Sequence, residues 1–198
     1  DLNIQCLVLK YPDAMKKAMA KATYHEEIDC IVGYENRNKF ITNLALDQTG
    51  NTLVLYNLVN KHGKILYNMI KDKSTKGNVF FVSGAVNAEE RERIRELTEK
   101  ENGAIIVASM GTFSTGINIK NLHNIIFAAP TKSQIRVLQS IGRGLRKADS
   151  GQATIVYDLA DDMCWKKHKN YTHNHAINRI RIYAKERFKY TIHEVPMI

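Results

Sequence analysis

The chain has 198 residues, 44% of them hydrophobic and 25% charged, with 3 Pro and 11 Gly, enough to close one core as a single globular domain. No apolar run approaches the roughly 18 residues of a membrane span and no secretory leader opens the sequence, which predicts a cytoplasmic protein; Cys6, Cys30 and Cys164 are too scattered for a disulfide framework, a redox pair or a zinc site. The net charge of +9 lies mostly toward the C-terminus, since residues 1–131 hold 16 bases and 14 acids while residues 132–198 hold 13 and 6, and such an excess suits a polyanion or a solvated surface.

In chain order, residues 2–9 (LNIQCLVL) read as a strand, followed by polar helical sequence to about Gln48. Thr52–Tyr56 (TLVLY) is a strand before a helix over Lys61–Lys71, and Val79–Val82 (VFFV) precedes a charged helix over Ala88–Lys100. Ala104–Ala108 (AIIVA), Asn124–Ala128 (NIIFA) and Ala153–Tyr157 (ATIVY) continue the series. Strands apolar on both faces, alternating with helices, predict a mostly parallel sheet between two helical layers. The last segment, His173–Lys189, places Ile177, Ile180, Ala184 and Phe188 on one helical stripe and turns Arg179, Arg181, Lys185 and Lys189 outward as a basic surface.

The sharpest feature is residues 133–147, SQIRVLQSIGRGLRK. On a helix, Ile135, Leu138, Ile141 and Leu145 form the buried stripe, while Arg136, Gln139, Arg143 and Arg146 follow another face. Gly142 and Gly144 cost about 1 kcal/mol each inside a helix, so something must approach the backbone there. Planar, permanently charged Arg suits multidentate contact with phosphate; the bland alternative is a solvated basic face. Directly after the AIIVA strand comes SMGTFSTGIN, in which Gly111 and Gly116 keep P-loop glycine spacing but Ile117 and Asn118 replace the Lys and Ser/Thr that hold phosphates and magnesium. Independent ATP hydrolysis is therefore not expected, although a Ser/Thr/Gly-rich segment opening a helix still favours phosphate. Asp158, Asp161 and Asp162 read as helix capping or turn chemistry. The seven His residues show no zinc-ligand spacing, and no metal site is predicted.

The order of these segments resembles motifs IV, V and VI of superfamily 2 helicases in their second RecA-like domain: Thr52–Asn57, Ser83-Gly84 with Arg91, Ser109–Asn118, and Gln139-x-x-Gly142-Arg143-x-x-Arg146. The flanks, including TYHEEI, NLVNKHGKIL and NRIRIYAKERFKY, resemble more narrowly the UvsW-type recombination and repair helicases of tailed phages, over nearly the whole chain. The resemblance implies a three-layer RecA-like domain over residues 1–198, with a leading strand and helices in 1–48, the motif-bearing core in 50–160 and a basic helix and tail in 165–198.

It also implies a function. The chain would be the C-terminal motor lobe of an ATP-dependent DNA helicase, in the host cytoplasm if phage-encoded. ATP and Mg2+ would be held mainly by an N-terminal RecA-like lobe outside this sequence, a partnership that Asp1 in place of an initiating Met suits. Arg143 and Arg146 would be arginine fingers ordered by Gln139. Gly116, Asn118 and Gly142 would face the nucleotide, and Ser109, Thr112, Asn57, Lys61, Ser83, Gly84 and Arg91 would contact nucleic acid. The partner would be single-stranded, forked or branched DNA, or an RNA–DNA hybrid. Asn118 and Ser140 depart from the family, where Asp and Arg are common. A non-catalytic α/β nucleic-acid-binding module is the alternative.

Overall fold

A computed structural model describes residues 2–84, 87–114, 121–132, 134–139 and 153–197. Its elements are β1 (Leu2–Lys10), α1 (Asp13–Ala18), α2 (Tyr24–Gly33), α3 (Glu35–Leu46), β2 (Thr52–Tyr56), a π-turn (Val59–Gly63), α4 (Lys64–Lys73), β3 (Val79–Val82) and α5 (Ala88–Lys100). There follow β4 (Ile105–Ser109), α6 (Met110–Ser114), β5 (Asn124–Phe127), α7 (described over 134–139), β6 (Thr154–Asp162), α8 (Tyr171–Lys185) and β7 (Lys189–Pro196). The strands form one parallel sheet in the order β3-β4-β2-β5-β6-β1-β7.

Alternation along each strand sends side chains to two cores. Leu53, Leu55, Ile106, Ile125 and Phe127 face one, closed by Ile94 of α5, Leu138 of α7 and Tyr183 of α8. Val54, Tyr56, Val107 and Ile126 face the other, closed by Ile31, Ile41, Leu66 and Ile70 of α2, α3 and α4. This is the three-layer arrangement expected from the strand–helix alternation. The Lys61–Lys71 helix instead begins with a π-turn, because Gly63 passes flat against the Tyr56 ring, where a Cβ would come within 2.6 Å of ring carbons.

Two readings of the C-terminal third are corrected. The strand expected over Ala153–Tyr157 runs on to Asp162, so Asp158, Asp161 and Asp162 are strand residues rather than caps or turns. Asp158 and Asp161 face opposite cores, and each meets an arginine. Arg179 of α8 grips Asp158 at 3.0 and 2.8 Å, with the Tyr183 hydroxyl donating to the same carboxylate at 2.6 Å. Arg37 of α3 grips Asp161 at 2.8 and 3.1 Å, with Tyr11 donating at 2.7 Å. Arg179 is therefore buried, and the buried face of α8 is Thr172, Ala176, Arg179 and Tyr183, while Ala184 of the expected stripe is exposed. An apolar-only pattern turns an arginine outward; a matching carboxylate brings it in. Beyond that helix the tail adds the edge strand β7.

Candidate functional site

In an all-parallel sheet, every strand ends on the same edge. Asn57 follows β2, Ser83 and Gly84 follow β3, Ser109 closes β4 and Thr112 lies in α6, so residues from three neighbouring strands, β3-β4-β2, gather along one edge. Arg91, half-buried, belongs to the first turn of α5, which starts from the same edge. Five of the seven residues predicted to contact nucleic acid thus come from strand ends or the turns directly after them, and the other two, Thr112 and Arg91, from the first turns of the helices that follow.

Their local chemistry differs from a bare phosphate grip. The Ser109 hydroxyl accepts from the Thr112 backbone N–H at 3.3 Å and lies 2.5 Å from the Thr112 hydroxyl. Ser109 therefore caps α6, which begins at once after β4 with no intervening loop. Lys61 is exposed and reaches Asp29 of α2 at 3.0 Å. Ser83 is buried, Asn57 is exposed, and among the described residues nothing crowds the place a side chain would take at Gly84. The Gln139 amide donates to Glu186 at the C-cap of α8, at 2.8 Å. Leu138 is buried, Ile135 packs against the same core and Arg136 is exposed, as expected for the start of the arginine helix, while Val137, outside the expected stripe, is buried as well. Arg143, Arg146, Gly142, Gly116 and Asn118 lie outside the described residues.

A feature that spacing did not reveal adjoins this edge. A cavity of about 460 Å³ opens between α2, the π-turn after β2 and the segment after β5; Tyr24, Ile28, Leu58, Lys61, His62 and Pro130 line it. His62 is fully buried, and burial first, then the nearby Arg37 charge, push its imidazole down to about 3, so it is neutral. Asn38 fixes its tautomer. The Asn38 amide donates to the Val32 carbonyl at 3.0 Å, which leaves Asn38 Oδ1, 3.1 Å from His62 Nε2, as an acceptor. Nε2 therefore carries the proton, and Nδ1 is a buried acceptor with no hydrogen-bond donor among the described residues. The one sequence signal was His62 inside the NLVNKHGKIL segment, without a role attached.

The α2 side of the cavity is held by a second contact that no motif announces. Glu27, 2% exposed, accepts the backbone N–H groups of Tyr171 and Thr172 at 3.1 and 2.8 Å, so a carboxylate of α2 caps the positive end of α8. Tyr24 stacks edge-on to Tyr171 and His175, with centroids 5.8 and 6.0 Å apart.

For metal ligation, Asp162, Cys164 and His173 each bring one ligand atom within 4.8 Å of the others. Both Asp162 oxygens are engaged, Oδ2 by Lys10 at 2.6 Å and Oδ1 by the Cys164 N–H at 3.0 Å. Burial works to raise the Asp162 carboxyl, but these bonds outweigh it and hold it at about 2. The Lys10 ammonium already supplies the cation, which opposes a second one. Among the described residues, no helix is long and apolar enough to cross a membrane.

Residues 36–148 match the family model described as the helicase conserved C-terminal domain. The ATP-dependent DNA helicase uvsW of Enterobacteria phage T4 is 41% identical over 208 residues, covering 98% of this chain and 41% of that protein. The putative ATP-dependent helicase IRC3 of Saccharomyces cerevisiae is 30% identical over 107 residues, 54% of this chain and 15% of that protein. The T4 UvsW crystal structure superposes with a TM-score of 0.87 over 100% of this chain and 42% of that one. The C-terminal domain of the DEAD-box protein Dbp5, at 14% identity, shares the fold alone, with a TM-score of 0.60 over 98% of this chain and 90% of that domain. This chain thus spans less than half of the two helicases it matches, and its RecA-like sheet belongs to the family of helicase conserved C-terminal domains.

Proposed function

We propose that the chain is the C-terminal motor lobe of an ATP-dependent DNA helicase or translocase that remodels branched DNA or R-loops in recombination and repair. The observation that carries this reading is the gathering of Asn57, Lys61, Ser83, Gly84, Ser109 and Thr112 on one sheet edge, within a helicase C-terminal family. Phosphate-directed groups on one edge handle a strand by its backbone, without regard to base identity. Lys61 exchanges the exposed Asp29 for a phosphate at little cost, since a surface ion pair contributes only about 0–1 kcal/mol. Ser109 and Thr112 turn their hydroxyls from each other toward the same backbone.

ATP, held with Mg2+ mainly by a first RecA-like lobe, supplies the phosphoryl transfer that drives the cycle. This lobe's share is guanidinium charge: Arg143 and Arg146 meet the triphosphate across the cleft, Gln139 orders them by leaving Glu186, Gly116 and Asn118 lie at the nucleotide edge, and Gly142 lets backbone approach the nucleotide. Arg91 supports the strand-facing edge from α5. Alone, the chain has no ATPase.

In the two-lobed protein, Arg143→Ala lowers ATP turnover about 10³-fold, the scale of a lost arginine finger, and leaves the melting temperature unchanged. Turnover near wild type overturns the finger assignment. Tight, salt-sensitive DNA binding that no nucleotide alters would favour the non-catalytic module instead.

A further inference from the structure

Strands β2 and β5 are neighbours, yet their connections leave on opposite faces: β2 leads to α4, whose Leu66 and Ile70 lie in one core, and β5 to α7, whose Val137 and Leu138 lie in the other. Such a topological switch point opens a crevice beyond the carboxyl ends of the strands, where α/β sheets bind ligands. The 460 Å³ cavity stands at that point, walled by Asn57, Leu58 and His62 after β2 and by Ala129 and Pro130 after β5. Its size suits a small molecule.

The walls specify a chemistry. Tyr24 offers a ring whose orientation is preset by Tyr171 and His175, and Ile28, Leu58 and Pro130 give apolar surfaces on which a flat heterocycle packs. His62, locked as the Nε2–H tautomer by Asn38, leaves Nδ1 as an acceptor that wants an N–H donor. Lys61, also on the wall, is a cation paired at 3.0 Å with Asp29 of the same wall, an exposed pair from which an attached phosphate can draw the lysine. A flat ring, an N–H donor and a phosphate together describe a nucleotide.

We propose that this cavity takes a single nucleobase, stacked on Tyr24, with a base N–H donated to His62 Nδ1 and its phosphate at Lys61. The inference rests on the helicase reading for its ligand, because the base belongs either to a bound strand or to the nucleotide. A base held here gives the lobe a grip independent of its phosphate contacts.

The test uses the two-lobed protein with three probes: a single-stranded oligonucleotide, the same strand with abasic sites, and ATP with Mg2+. Stacking on one aromatic ring predicts that Tyr24→Ala weakens the base-bearing strand about 5- to 100-fold, leaves the abasic strand unchanged, and is rescued by Tyr24→Phe. Ile28→Trp, which fills the cavity and leaves Tyr24 itself unsubstituted, gives the same selective loss. If ATP affinity falls instead and both strands bind as before, the base is that of the nucleotide and the pocket assignment stands. Equal losses on base-bearing and abasic strands, or no loss for any probe, overturn the pocket. Wild-type protein that binds none of the probes overturns the helicase reading itself, a different outcome from a silent Tyr24→Ala.

Discussion

Arg37 and Arg179 are the residues whose placement departs furthest from what their chemistry suggests in isolation. A buried guanidinium costs several kcal/mol unless a carboxylate meets it, and both meet one on β6. Arg37 has no exposed surface and also donates to the Ala128 carbonyl at 2.9 Å, which fixes the segment leading to Pro130 and the cavity. Arg37→Ala leaves Asp161 charged and unmatched in the core, so urea unfolding will show a loss of about 3–5 kcal/mol. The double change Arg37→Met with Asp161→Leu removes both charges and recovers most of that loss; a double variant as unstable as the single one would place the energy in the Ala128 and Tyr11 contacts. None of this pairing is legible in sequence, because Arg37 and Asp161 stand 124 residues apart and Arg179 and Asp158 stand 21 apart on different elements. Local spacing reads such residues as capping acids and surface bases.

Elements were more legible than their residues. Hydrophobic runs that sit between two helical layers must be apolar on both faces, so β2, β3, β4 and β5 could be read within a residue or so, and α5 with its own bounds. The π-turn and β7 could not. The first follows from one close approach, Gly63 on the Tyr56 ring; the second is an edge strand with mostly exposed, mixed residues that carries no apolar run. The π-turn also buries His62, and that has a consequence with a definite sign. An unfolded chain protonates this imidazole near pH 6.5, whereas in the folded protein burial and Arg37 hold it down to about 3. Between those values the unfolded state binds the extra proton, so stability is full above pH 6.5 and falls as pH drops through the window. The slope from one such group is about 1.4 kcal/mol per pH unit. His173 and His175, lowered chiefly by burial, lose stability in the same direction, so the measurement is a difference. Urea titrations at pH 7 and pH 5 will show a smaller acid loss for His62→Gln than for wild type; equal losses would mean that His62 takes up its proton while folded.

At the scale of the whole molecule, fold and function join through one geometric fact, that parallel strands put all their ends on one edge. The motif residues are far apart in sequence and converge there because the sheet order brings β3, β4 and β2 side by side. Convergence was legible through the motif order, the cavity was not, since it depends on α2 being held over the edge by Glu27 against the start of α8. The charge of the chain acts at this same scale. Of its excess of +9, the C-terminal part contributes most, and the buried Arg179–Asp158 pair adds nothing to it, because the two charges cancel within that sum. What counts is the number of cations free to replace counterions on phosphates, which the salt dependence of binding measures. Lys61 is held by Asp29 in an exposed pair, a competition that a phosphate must win. Lys61→Gln in the two-lobed protein should therefore reduce the slope of log affinity against log salt by about one contact, for every strand sequence alike. Asp29→Asn, by releasing the lysine, should tighten single-strand binding at low salt and leave the slope of the wild type intact. Should Lys61→Gln leave the slope untouched, the lysine serves only to tie the π-turn to α2, and the strand passes over the edge nearer to β3 and β4.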